Sequence, residues 1–296
     1  MQNLFYALTF ERTLDRYSQA DTTEVDVTAK VDPAGRTAQL LSAFFGLDEG
    51  LPRIADWAVC DGAGGKDGMP VIFSHEVGLN TLEPGDFAIK RRSGKLGEVT
   101  CLTLAPADDP GELRTVLLAG QFGSESDPPV SVEITGDIIS LDQSVTFKGA
   151  QVAVTPLEDG PSLVLAEKVP QGQWELGKAA TGIPFGGGSG CPEGTAQVLR
   201  VTWEGGITKP DGNAADDQER KLYRVTIRQE DGSEETIAPM HLADTGDGDN
   251  NHKLCLDRTE PVKSIAFPAG GFTDPRGDLN PPTYIGVSQR LIDKQS

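Results

Sequence analysis

The chain has 296 residues, and 45 Asp and Glu against 26 Lys and Arg give it a formal net charge of −19 and a sequence pI near 4.5. A surface of that sign repels phosphate backbones and anionic headgroups, which excludes nucleic acid as a partner and argues against docking on membranes. Its 35 glycines and 20 prolines exceed the average combined usage of about 12%, a bias toward many turns and short strands rather than long helices.

No stretch approaches the roughly 20 apolar residues of a spanning helix, so no membrane insertion is expected. The opening "MQNLFYALTF" is apolar but lacks a basic lead, and it does not read as a signal peptide. In "EVDVTAKV", Val25, Val27, Ala29 and Val31 alternate with polar residues, the period of a half-buried strand. "RTAQLLSAFFGL" sets Leu40, Leu41, Phe44 and Phe45 on neighbouring helical faces and predicts one short helix. Strands dominate from Val71 onward: "PVIFS", "DFAIKR", "EVTCLTL", "RTVLLAG", "VSVEIT", "AQVAVTP" and "SLVLAE". "VPQGQWELGKAATGIPFGGGSGCPEGT" then loses periodicity and fills with glycine, as a linker or long crossover does. Beyond it, "VLRVTWEG" puts Leu199, Val201 and Trp203 on one face. "LYRVTIRQEDGSEETIAP" reads as a hairpin turning at Asp231-Gly232. "HKLCLD", "KSIAFPAG" and "TYIGVS" complete the pattern. The predicted fold class is all-β, two β-sandwich (immunoglobulin-like) domains with little helix. Residues 1–167 form the first, 168–195 the connection and 196–296 the second.

At "MPVIFSHEVGLNTLEPGDFAIKRRSGKLGEVTCLTLAP" and "GDIISLDQSVTFKGA" a family likeness emerges. An apolar strand ending in Phe73-Ser74 leads to a Thr-Leu-x-Pro-Gly-Asp-Phe step at Thr81–Phe87. A Val-x-Ile-x-Gly-Asp-Ile strand follows at Val132–Ile138. Together, residues 67–149 resemble the bacterial immunoglobulin-like modules of surface-layer proteins and adhesins. The resemblance implies a secreted spacer or binding unit without an active site. Cysteines are not part of that family's pattern.

The chain has four, Cys60, Cys101, Cys191 and Cys255, none in a C-x-x-C pair, which rules out a zinc ribbon or a thioredoxin motif. Four buried thiols are the cytosolic alternative. The halves of the chain hold two each, which favours disulfides Cys60–Cys101 and Cys191–Cys255 and an extracellular, periplasmic or cell-surface location.

"DTGDGDNNHKLCLD" concentrates the oxygen ligands. Asp247, Asp249 and Asn251 form D-x-D-x-N, with Asp244 close by, a spacing that suits Ca²⁺. The EF-hand template fails, because His252 stands where its glycine belongs and Arg258 where its glutamate belongs. Further ligands are available from Asp211, Asn213, Asp216 and Asp217, and from Asp274, Asp278 and Asn280. The plain alternative is a solvated Asp/Asn/Gly turn. Of the three histidines, His252 has acidic neighbours that favour its charged form and make it the proton donor if the chain is an enzyme. His75-Glu76 reads as a surface pair rather than an acid–base pair. "PFGGGSGCP" lacks the last glycine of a nucleophile elbow and reads as a flexible linker. "KRRSGK" reads as a hairpin turn.

Two functions follow from these residues. One is a secreted or cell-surface β-module, disulfide-stapled and calcium-stabilised, acting in adhesion, binding or assembly with a glycan, a surface or its own copies. The other is an extracellular hydrolase or lyase acting on a polymer, with calcium in a structural role. Aromatic residues are only 6% of the chain, which weighs against extended glycan platforms.

Overall fold

The structure, a computed structural model, describes residues 38–180 and 187–287. The strand expected at residues 24–31 lies outside them. Among the described residues the secondary structure is almost entirely strand. Two helices of four residues each, α1 (Ala55–Ala58) and α2 (Asp217–Arg220), and three short 3₁₀ turns are the exceptions.

The first domain holds β1 (Leu40–Phe44), β2 (Asp67–Phe73), β3 (Phe87–Arg91), β4 (Glu98–Thr103), β5 (Thr115–Gln121), β6 (Pro129–Ile134) and β7 (Gln151–Thr155). They form one sheet in the order β3-β6-β7-β1-β2-β5-β4. Its ends meet at the "KRRSGK" turn, where Gly97 N donates to Ile89 O at 2.7 Å and Arg91 N to Lys95 O at 2.8 Å. The sheet therefore folds over a single core in which Phe73, Ile89, Leu118, Val132 and Phe147 are fully buried. Phe73 meets Phe147 edge-on at 4.8 Å between ring centroids.

The expected helix over "RTAQLLSAFFGL" is strand β1, pairing antiparallel with β2 and parallel with β7. A central strand buried on both faces loses its alternation and reads as a continuous apolar run. Ala43 and Phe45 join the first core. Ser42, on the other face, donates to Glu204 of the second domain at 3.2 Å.

The second domain is a sandwich of two four-stranded sheets. One sheet runs β12 (His241–Ala243), β13 (Asn251–Leu256), β9 (Gln197–Trp203), β8 (Leu163–Val169), and the other β11 (Glu234–Ile237), β10 (Arg224–Arg228), β14 (Val262–Phe267), β15 (Thr283–Gly286). The β10–β11 hairpin forms as the sequence predicts, with Gly232 at φ +84° in its turn. Leu199, Val201 and Trp203 face the inner core together, Trp203 edge-on to Phe267 and Phe272. Strand β8 pairs with β9, so the domain boundary expected after residue 167 falls before Leu163. "SLVLAE" carries no mark of which sheet it joins, because a strand's partner is chosen by packing.

The glycine-rich segment is a crossover from β8 to β9, fixed at several points. Trp174 is buried with its Nε1 donating to Val169 O at 2.9 Å, and it packs with Val198, Ala243, Cys191 and Cys255. Both expected disulfides are present, Cys60–Cys101 and Cys191–Cys255, separated by 41 and 64 residues. Disulfides of this kind belong to chains that fold in an oxidising compartment. No helix among the described residues is long and apolar enough to cross a membrane. Cys191 and Cys255 are fully buried, whereas Cys60 and Cys101 are half-exposed. Replacing Cys191 and Cys255 by serine should therefore cost about 4 kcal/mol from the lost loop constraint, plus a further term for buried hydroxyls. Thermal unfolding should rank that variant below the Cys60→Ser/Cys101→Ser pair.

Candidate functional site

The outward face of the β12-β13-β9-β8 sheet does not meet water. Glu167 on β8, Arg200 on β9 and Lys253 on β13 point from it and are each 2% exposed. The loop between β4 and β5, residues 104–114, lies against them from the first domain. Arg200 donates to the Pro110 and Gly111 carbonyls at 2.7 and 2.9 Å. It also pairs with Glu112 at 3.2 Å and Glu167 at 3.3 Å. Arg114 reaches Glu167 at 3.3 Å and donates to Ser74 O at 3.1 Å. Gly111 is at φ +89°, and a Cβ there would fall on the Arg200 guanidinium. Opposite ion pairs thus fix the domains to one another.

The network continues into the acidic loop. Lys253 donates to Asp244 Oδ1 at 3.3 Å and to Glu175 at 3.2 Å. Asp244 is in the left-handed region at φ +61°, a conformation that a non-glycine residue holds only when its surroundings fix it. Its N–H donates to Ser189 O at 2.8 Å. Asp109 of the first domain, Asp244 and Asp247 each offer an oxygen, and these oxygens lie within 4.8 Å of one another. Gly188 closes over them, its N–H donating to Asp109 at 3.4 Å. A Cβ on Gly188 would stand 2.6 Å from both Asp244 Oδ1 and Asp247 Oδ2. The segment expected as a flexible linker therefore supplies a close-packed wall here.

Of the predicted calcium ligands, Asp244 and Asp247 come together, and Asp109 joins them. Asp249 and Asn251 bind each other instead. Asn251 donates to Asp249 through its N–H at 2.8 Å and through Nδ2 at 2.9 Å, while its Oδ1 accepts from Thr202 at 2.8 Å. Asp216 caps α2 and pairs with Lys209 at 2.8 Å, and Asp211 accepts from Asn213 N. Asp274 accepts from the N–H groups of Arg276 and Asp278, and Asn280 from that of Phe272. Neither of those loops contributes to the Asp109 group. Asp109 was missed because "APADDPGEL" has no ligand spacing and sits 135 residues before Asp244.

Among the described residues, Glu76, Asp109, Glu112, Glu167, Asp244, Asp247 and Asp249 are buried at the junction together with Arg114, Arg200 and Lys253. Burial, then the Asp244 charge, raises Asp247 to about 6. Burial and the neighbouring charges of Asp247 and Asp244 push Asp249 well above the usual range, and burial with Asp244 does the same to Glu112. Burial opposes ionisation of Asp244 too, but Lys253, a hydrogen bond with Glu112 and the Arg200 charge together outweigh it and hold that carboxyl low.

A recess of 290 Å³ opens beside this group, lined by Thr208, Asp247, Asp249 and His252 among others. Burial lowers His252 to about 4 against the pull of Asp244. The expected charged histidine is therefore neutral, since desolvation outweighs its acidic neighbours. Trp203 Nε1 donates to Tyr223 Oη at 3.1 Å, and Tyr223 lies 2.9 Å from His252 Nδ1. The buried hydroxyl satisfies its own hydrogen by donating to Nδ1, which leaves the proton on Nε2. His75 is also buried, 3% exposed, bonded to Ser74 Oγ at 2.8 Å and set edge-on against Phe147. It is a core residue, not the surface residue the strand end suggests.

On the other side of Gly248 and Asp249 lies an apolar cleft of 320 Å³ between the domains. Phe44, Leu51, Ile54 and Leu117 line it from the first domain, and Gly205 and Asn250 from the second. Gly205 lets the backbones close, since a Cβ there would meet Phe44 at 2.8 Å. At its rim Ile54 is 58% exposed, and on the next turn Trp57 is 65% exposed. The loop that carries the acidic residues is the shared wall of cleft and recess.

These features define a disulfide-stapled, two-domain, all-β protein with a charged, buried junction. No known family and no curated protein matches the chain. Among solved structures it is similar to native alpha-2-macroglobulin from Escherichia coli spanning domains MG0-NIE-MG1. That alignment covers 88% of this chain and 74% of the other at 11% identity, with a TM-score of 0.28. A likeness of that degree carries no argument, and it does not bear out the surface-layer and adhesin modules expected for residues 67–149.

Proposed function

We propose that this protein is a secreted or cell-surface β-module that acts in binding or assembly, with calcium held in its acidic junction. One observation carries the binding role, the apolar cleft between domains with Ile54 exposed at its rim and Trp57 exposed nearby on α1, in a chain dominated by carboxylates. Apolar patches rimmed by polar residues are the usual mark of an interaction site. The calcium reading is supported by an all-oxygen set of buried carboxylates, which suits a hard cation and not a thiophilic one.

Trp57 supplies the test. Trp174 and Trp203 are 7% and 0% exposed, so quenching of tryptophan emission by acrylamide reports chiefly on Trp57. Self-association in concentrated protein, or addition of an oligosaccharide ligand, should protect Trp57 and change the sedimentation coefficient. Ile54→Asp should abolish both effects. Unchanged quenching and sedimentation across concentrated protein and a panel of glycans would remove the binding role.

The recess holding His252 with Asp247 and Asp249 is the observation that favours the second reading, an extracellular hydrolase or lyase acting on a polymer. A neutral imidazole with its proton on Nε2 donates a hydrogen bond but serves neither as a general base nor as a strong acid near neutral pH. The geometry suits ligand or cation binding better than proton transfer. Turnover of a polysaccharide or polypeptide that His252→Ala abolishes, with the fold intact by circular dichroism, would reverse this ranking.

A further inference from the structure

We infer that the hairpin tip joining β3 to β4, residues 90–96, binds an anionic glycan, a chain of sugars bearing carboxylates or sulfates. It is a second binding site, separate from the apolar cleft, none of whose lining residues belongs to it. It also stands without calcium. Lys90, Arg91, Arg92 and Lys95 place four of the chain's 26 Lys and Arg within six residues, in a molecule of net charge −19. Elsewhere on the surface cations are met by carboxylates, as Lys148 is by Asp137, Lys209 by Asp216 and Lys263 by Glu234. Among the described residues none of the four tip cations forms an ion pair. Asp127 lies against the tip, but its two oxygens accept from Ser93 N and Ser93 Oγ, both at 2.8 Å.

The tip is also rigid. Gly94 turns the chain at φ +86° and donates to Arg91 O at 2.9 Å, and Arg92 N donates to Pro128 O at 2.9 Å. Lys90, Arg92 and Lys95 are exposed and Arg91 is half-buried, so a ligand meets cations whose backbone is already ordered. Arg guanidinium groups grip carboxylate or sulfate oxygens in pairs, whereas the lysines act as point charges.

The geometry favours a linear polymer over a second copy of the chain. Neighbouring strand residues face opposite sides. Lys90 stands opposite Leu96 and Arg91 opposite Lys95, so the two sides of the ribbon each carry positive charge, with Arg92 at the turn. A flat protein face meets one side. A linear chain can pass over the turn and meet both, and Leu96, 64% exposed, offers an apolar contact to a sugar ring. The acidic surface around the tip limits the charge density it tolerates. Duplex DNA carries one charge per about 1.7 Å, and a glycan with at most one anionic group per sugar is far sparser.

Binding of the full chain to immobilised alginate, dextran sulfate and uncharged dextran, in buffer without added divalent cations, tests the assignment. The two charged polymers should bind and dextran should not; binding of one charged polymer alone fixes which anion the glycan carries. Raising NaCl from about 0.1 M to about 1 M shortens the Debye length from about 10 Å to about 3 Å and should weaken binding about tenfold or more. Arg92→Glu with Lys95→Glu should weaken it to a similar degree and remove the slowing of amide exchange that the polymer causes at residues 90–97. Lys148→Glu with Lys221→Glu makes the same charge change at exposed sites elsewhere and should leave affinity within about twofold of the parent. If neither charged polymer binds the parent, or if both double variants lose binding equally, the tip is not a glycan site. If the parent instead associates with itself at low salt, and the tip reversal abolishes that while neither polymer binds, the occupant is a second copy and the glycan assignment is wrong. None of these results touches the cleft, which Trp57 quenching and Ile54→Asp test separately.

Discussion

Arg200→Ala should destabilise the protein by about 3–5 kcal/mol, the usual effect of removing one partner from a buried ion pair. Arg200 lies at 2% exposure and joins groups from both domains: Glu112 and the Pro110 and Gly111 carbonyls from one, Glu167 from the other. Alanine would leave two buried carbonyls without their donors and Glu112 without its cation. Glu167 would keep Arg114 at 3.3 Å, so it is partly compensated. Arg200→Met fills the volume but restores no charge and should recover little. Arg200→Ala combined with Glu112→Gln should be less harmful than the two single losses added together, because the two side chains meet at 3.2 Å and the first loss already breaks the contact that the second one removes. Urea denaturation of the four proteins measures this directly. A loss below about 1 kcal/mol for Arg200→Ala, the range of an exposed pair, would mean that water reaches the junction.

Asp247→Asn should have opposite effects with and without calcium. In EDTA at neutral pH it should raise the melting temperature; in excess calcium it should fall below the parent. Asp247 has its pKa raised to about 6 by burial and by Asp244, above an unfolded value near 3.8. The folded, metal-free protein therefore binds this proton more tightly than the unfolded chain does. The resulting stability is fully present below about pH 4 and is lost as pH rises through about 6, a loss on the order of 2–3 kcal/mol. Asparagine never ionises and keeps an oxygen for the Asp249 N–H, so its melting curve should lack that fall. His252, lowered to about 4, works in the opposite direction, since its stability contribution is lost as pH falls below about 6.5. It is common to both proteins and cancels in their difference. Calcium reverses the ranking because it needs the ionised carboxylate; a hundredfold excess over Kd adds about 2.7 kcal/mol to the parent. Melting temperatures from pH 4 to 8, in EDTA and in calcium, decide the matter. Superimposable curves for the two proteins in both conditions would show that Asp247 is no more than part of a solvated turn.

Much of the molecule was legible along the chain. Alternation marks β6, β7, β10 and β11 because each keeps one face toward water, and a period of two is visible without knowing the partner strand. Asp231-Gly232 marks its hairpin because only a few residues accept that turn. The division of the cysteines between the halves was enough to pair them. β1 was misread for the converse reason, since burial on both faces erases alternation.

Local sequence also concentrated acidic residues in Asp244–Asn251, but it did not reveal what they face. Nothing in the local sequence marks Arg200 within "VLRVTW", Glu167 within "LVLAEKV" or Arg114 within "ELRTV" as a junction residue. Tertiary structure places all three at 2% exposure or less, and it brings Asp109 from another domain to Asp244 and Asp247. A strand's own sequence records that it has an apolar and a polar face. Whether water or a second domain covers the polar face depends on contacts between residues far apart in the chain, and only the packed molecule decides those.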